Sequence, residues 1–250
     1  MSAALSPQVL AILPFIFMGA LLYTSVGHGG ATVYLAILTL AGFAIGPLVT
    51  TILVINIVAA GIAFFMFSHA GHLRWRLLLP FVLTSVPMAY VGGRVPMSGR
   101  AQSLVLGVSL FLASIRFLFF QSPPRLKVPR SGAAFHIGAP LLGSLLGFLA
   151  GATGIGGGIF LSPALIVLGW AEVRETSNVS SAFIVLNSMA GLAARLPRTP
   201  LETGLLWPLI VVVITGALLG SFAGARRLPP RILYGLLGTV LLVASIKTML

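Results

Sequence analysis

The chain has 250 residues, 58% hydrophobic and only 7% charged, with a formal net charge of +12 at pH 7. Soluble domains carry about 25% charged residues, so this composition excludes a water-soluble fold and demands a polytopic membrane protein. The apolar runs are continuous rather than alternating, which excludes a membrane β-barrel and leaves an all-α bundle.

The charge is one-sided. Fifteen Lys and Arg face three acids, Glu172, Glu175 and Glu202, and there is no Asp. Loop cations serve as topology signals and anchors to anionic lipid. No acid lies inside an apolar segment, where cation-coupled carriers often keep an Asp or Glu. That argues against a cation substrate and against a carboxylate proton relay. There is no cysteine, so disulfides, thiol chemistry and Cys-based metal sites are excluded. Residues 1–8 lack a positive n-region and a cleavage site, so the first apolar stretch reads as a retained helix rather than a signal peptide.

Taken in order, residues 9–26 form the first expected span. Gly27-His28-Gly29-Gly30 then breaks the helical pattern. The apolar piece 31–42 follows; its twelve residues reach about 18 Å as helix, short of a hydrocarbon core of about 30 Å. Residues 47–67 span again with Asn56 in the middle, and 68–76 is an interfacial loop carrying His69, His72, Arg74, Trp75 and Arg76. The next spans are 77–93, with Pro80 and Pro87 as candidate kinks, and 101–120. Residues 121–134 are Pro-rich and basic and read as the linker between two halves, 1–120 and 135–250. The second half repeats the plan. Residues 136–153 span, and Gly154-Ile155-Gly156-Gly157-Gly158 breaks the pattern. Residues 159–169 are short and apolar, and 170–175 form an interfacial turn. The spans 176–194, 205–224 and 232–249 complete a count of about eight, plus two half-helices. The polar ladder Thr176, Ser177, Asn178, Ser180, Ser181 opens the first of these three.

The halves match position by position. Gly27 and Gly154 are 127 positions apart; at that offset Gly42-Phe43 falls on Gly169-Trp170 and Thr50-Thr51 on Ser177-Asn178. Interrupted apolar segments at corresponding places in two halves point to a transporter binding site. With four crossings per half the repeats are parallel, and with five they are inverted; the sequence leaves this open. The basic loops 68–76 and 121–134 share a side in either case, and the positive-inside rule places them in the cytoplasm.

The duplicated Gly-x-Gly-Gly break, Ser162-Pro163 after it, and Thr176-Ser177-Asn178 opening a helix that contains Leu186-Asn187-Ser188-Met189-Ala190-Gly191 resemble the TauE/SafE sulfite exporter family, the TSUP membrane transporters. The resemblance runs from about residue 11 to the C-terminus. In the first half the break reads Gly-His-Gly-Gly, and Ala36 stands where the second half has Pro163. The resemblance implies a duplicated four-helix plan, a prokaryotic plasma-membrane location, and transport of small sulfur- or carbon-containing anions such as sulfite, sulfonates, thiosulfate and organic acids.

The chemistry of the breaks agrees. A short helix starting at Gly157-Gly158 presents unpaired N–H groups and a dipole end equivalent to roughly half a positive charge. The first half offers a second such end at Gly29, Gly30 and Ala31. The expected substrate positions are therefore Gly29, Gly30, Gly156, Gly157 and Gly158, with Thr50, Thr51, Asn56, Ser177, Asn178 and Ser181 as a hydrogen-bonding shell. For each polar member the alternative is interhelical adhesion, or helix capping for Ser177 and Asn178. His28 is a candidate for proton coupling and equally a candidate structural histidine. The partners expected are a small anion and the lipid bilayer, with no nucleic acid, cofactor or metal; monomer and homo-oligomer stay open. A zinc-protease motif and Walker loops are absent, which speaks against an intramembrane enzyme and an ATP-driven pump. A scaffold subunit is the remaining alternative.

Overall fold

The computed structural model describes residues 6–43, 45–95, 100, 104, 107, 108, 111, 114, 115, 118, 119 and 132–249. Most of the expected span 101–120 and of the linker 121–134 lies outside the described residues. Within them the chain is helical: α1 Pro7–Ser25, α2 Ala31–Leu40, α3 Ile45–His69, α4 Trp75–Arg94, α5 Ala133–Thr153, α6 Gly158–Val167, α7 Val173–Arg195, α8 Thr203–Arg226 and α9 Pro230–Met249. Six of these, α1, α3, α4, α5, α7 and α8, are long and apolar enough to cross a membrane. α2 and α6 have ten residues each, as half-helices should.

The boundaries follow local chemistry. Pro7 occupies the first turn of α1, where a missing N–H costs nothing, and Ser6 Oγ accepts from Val9 N–H at 3.3 Å. Glu172 and Glu175 form a reciprocal capping box. This starts α7 at Val173, so the interfacial turn expected over 170–175 is shorter than the sequence suggested. α4 runs as one helix through Pro80 and Pro87.

Two close seams set the packing. On α8, Gly216, Gly220 and Gly224 lie against Ala20, Leu21 and Ser25 of α1, where an added Cβ would strike backbone or the Ala20 methyl. On α5, Gly143, Gly147 and Gly151 lie in the same way on Phe81, Ser85 and Ala89 of α4. Lipid tails are as apolar as leucine, so helix association here rests on dispersion across small-residue faces rather than on the hydrophobic effect. Both seams are parallel, because the contact positions rise together along the two helices.

α3 and α7 run antiparallel. Asn178 Nδ2 donates to Ser68 Oγ at 2.8 Å at one end, Asn56 Nδ2 to Ser188 Oγ at 3.0 Å in the middle, and Val49 and Arg195 both face Gly154 at the other end. The apolar core divides in two. One cluster joins α1, α2 and α3 with α8 and takes in Ile155, Ile159 and Ile166 of the second break and α6 and Val173 of α7; the other joins α4 with α5, α6 and α7. α4 therefore packs with helices that follow it across the linker, and α8 with helices at the start of the chain.

Candidate functional site

The two glycine breaks converge on Asn56. α1 ends at Ser25, and Gly27 turns the chain with φ 76° directly against the Ser177 backbone. α2 then leads away and returns to the start of α1, where Gln8 Nε2 donates to Ala41 O. The N-terminus of α2 thus lies deep in the bundle, level with the middle of α3. There Asn56 Oδ1 accepts from Ala31 N–H at 3.2 Å. The same amide reaches the second break, where Nδ2 donates to Ile155 O at 3.4 Å as well as to Ser188 Oγ. One buried carboxamide joins both breaks and two long helices.

The second break is shaped by glycine alone. Gly154 ends α5 in the left-handed region at φ 75°, and Gly156 and Gly157 follow at 77° and 76°. Residues with a Cβ rarely adopt this conformation, so the sequence of turns that aims α6 into the protein depends on them. Phe160 N–H and Leu161 N–H bond back to Gly157 O. The N–H groups of Gly156, Gly157 and Ile159 meet no acceptor among the described residues. All of this backbone is buried, so these donors and the positive dipole end of α6 are presented to the protein interior.

His28 holds the first break. Its Nδ1 faces Val26 O at 3.1 Å. Its Nε2 meets Ser162 Oγ at 3.2 Å, and Ser162 meets Ser180 Oγ at 2.8 Å. The row runs from the first break across α6 to α7 and is fully buried. Nearby, Thr32 Oγ1 donates to Tyr23 Oη at 3.0 Å.

The structure therefore gathers His28, Gly29, Gly30, Asn56, Gly156, Gly157 and Gly158 into one region. Of the other expected positions, Ser177 meets the first break through its backbone, against Gly27, while the side-chain partners of Thr51, Ser177, Asn178 and Ser181 lie elsewhere. Thr51 Oγ1 accepts from Glu202 N–H at 2.9 Å and so ties down the start of α8. Asn178 binds Phe64 O and Ser68 at the far end of α3. The Ser177 and Ser181 hydroxyls return to their own helix, donating to Val173 O and Asn178 O. Thr50 is buried, and its Oγ1 has no partner among the described residues. Ser162, Ser180 and Ser188 are partners that sequence reasoning did not assign to the site. For Ser162 the available signal was a hydroxyl inside an otherwise apolar stretch; Ser180 stood in the polar ladder itself.

Among the described residues no group of His, Asp and Glu is placed to hold a metal ion.

Comparison with known proteins now places the chain. The family model described as sulfite exporter TauE/SafE matches residues 12–248. The chain belongs to the TauE/SafE family. It is also 31% identical over 235 residues to "Probable membrane transporter protein y4hK" of Sinorhizobium fredii, an alignment covering 92% of this chain and 94% of that protein. No solved structure matches. Membership makes the chain a multi-pass membrane transporter of the TauE/SafE type.

Proposed function

We propose that this TauE/SafE protein is a secondary carrier or facilitator of small anions, sulfite, sulfonates or related sulfur and organic anions, working by alternating access around its two glycine breaks. The observation that carries the reading is the convergence of the α2 and α6 N-termini on Asn56. Two positive dipole ends aimed at one buried region favour an anion without any buried lysine. The absence of acids from the apolar segments supports the same sign of substrate.

In this reading residues 1–120 and 135–250 are repeats of inverted topology. The antiparallel course of α3 and α7, which the 127-residue offset makes counterparts, supports inversion, as does the exchange of α4 and α8 between the cores. The end of the bundle carrying the α3–α4 turn, with Arg74, Arg76, Arg226 and Arg227, faces the cytoplasm. Gly156, Gly157 and Ile159 supply backbone donors to the substrate, and Asn56 and Ser188 supply side-chain polarity beside them. His28 is the candidate for proton coupling, with Ser162 and Ser180 in line behind it.

The test is uptake of labelled sulfite, thiosulfate, sulfate, sulfoacetate and a simple carboxylate into proteoliposomes. Saturable flux of at least one anion, lost in Gly157→Leu, supports the reading. Absence of both flux and anion-dependent thermal stabilisation in folded protein would sink it and favour the scaffold alternative.

A further inference from the structure

Arg195 closes α7 at the end of the bundle that also holds Gln8, Ala41 and Glu202. Its Nη2 donates to Gly151 O and Ala152 O, at 2.7 Å each. These are carbonyls that α5 leaves unpaired at its C-terminus, so part of the side chain is a cap. A cap does not account for the rest. Arg195 Nε is buried with no acceptor among the described residues. It lies beside Gly154, the first glycine of the second break, 3.8 Å from where a Cβ on that residue would stand. Among the described residues no carboxylate pairs with Arg195; the ion pair they contain is Arg74 with Glu175. A helix C-terminus offers only about half a negative charge, so roughly half of the guanidinium charge is uncompensated where the chain enters the break.

We propose that Arg195 is the anion-receiving residue on the Glu202 side of the membrane, its Nε–H forming an outer binding position for a small oxyanion on its way to Gly156–Gly158. The proposal rests on the anion-transport reading above and names a binding residue within it. A planar guanidinium suits a trigonal or tetrahedral oxyanion. An uncompensated charge at a mouth also raises the local anion concentration, an effect that salt screens.

The test uses the full-length protein in proteoliposomes of known orientation, with labelled sulfite as the first probe and the other four anions of the panel in turn. Arg195→Gln keeps an amide to donate to the α5 carbonyls but removes the charge. It is expected to raise KM for anion presented on the Glu202 side at least about tenfold, with a much smaller change in maximal rate, and to abolish the salt dependence of uptake from that side. Arg195→Lys is expected to fall between, and Arg198→Gln, an exposed neighbour, to match the wild type. In detergent, Arg195→Gln should need correspondingly more anion for the same thermal stabilisation. Unchanged KM, salt dependence and stabilisation in Arg195→Gln, beside a responsive wild type, would overturn the proposal and leave anion transport standing. A lower melting temperature and maximal rate with KM unchanged would reduce Arg195 to a cap and also overturn it. A wild type that neither transports nor is stabilised by any anion of the panel would overturn both.

Discussion

The two breaks share a glycine pattern and differ in what holds them. At Gly27–Gly30 the work is done by side chains: His28 reaches across to Ser162, and Asn56 Oδ1 already occupies the first N–H of α2. At Gly154–Gly158 the position of His28 is taken by Ile155 and that of Asn56 by Phe183; Asn56 Nδ2 reaches Ile155 O from outside, three left-handed glycines set the turns, and the N–H groups of Gly156, Gly157 and Ile159 meet no acceptor among the described residues. The glycine pattern recurs while the polar groups around it differ. In the proposed reading the second break is the one that receives the substrate.

The sharpest way to break that contrast is Gly157→Leu. A left-handed conformation costs a residue with a Cβ about 1–2 kcal/mol, and crowding against Ala150 and Phe183 adds about 1–3. Flux should fall at least about a hundredfold; near-normal flux would mean that the second break is not the path. Next comes Asn56→Asp, which sets a carboxylate between the two dipole ends. Anion flux should fall about tenfold or more, and an unchanged rate would remove the substrate from this region. Asn56→Ala removes three interhelical bonds at about 0.6 kcal/mol each, so the melting temperature should drop by about 5 °C; no drop would mean that the amide fastens nothing. His28→Gln should cost less stability and keep flux within about threefold. Its pH profile is the informative readout: a flattened profile assigns the ring proton coupling, and an unchanged one leaves it a fastening alone. Asn178→Ala, at the far end of α3, should leave KM within about twofold, and a larger rise would return Asn178 to the site.

Much of the architecture was legible because glycine runs, proline and apolar length act locally. The short helices, the breaks between them and most helix ends fell within a few residues of expectation. The start of α7 was missed because Trp170 and Glu172 resemble an interface, while the reciprocal bonds of Glu172 and Glu175 begin the helix there. The polar shell was legible only in part. Asn56 stood out as an amide in mid-span, but whether a hydroxyl faces the break or its own helix depends on rotation about the helix axis, which spacing alone did not reveal for Ser177 and Ser181. The glycine seams of α5 and α8 were hidden by abundance, since glycine occurs throughout this chain. Arg195 fell just past the expected span 176–194, and nothing in the sequence announces that its side chain folds back onto the end of another helix.

The crossing of α4 and α8 into each other's cores bears on how the chain can be assembled. A covalent connection between the halves is not what keeps them together, since each half embraces a helix of the other along a glycine seam. Fragments 1–125 and 126–250, made as separate polypeptides in one membrane, should therefore find each other and co-purify. Replacing Gly147 or Gly220 with valine should part them, although neither residue is near the cut.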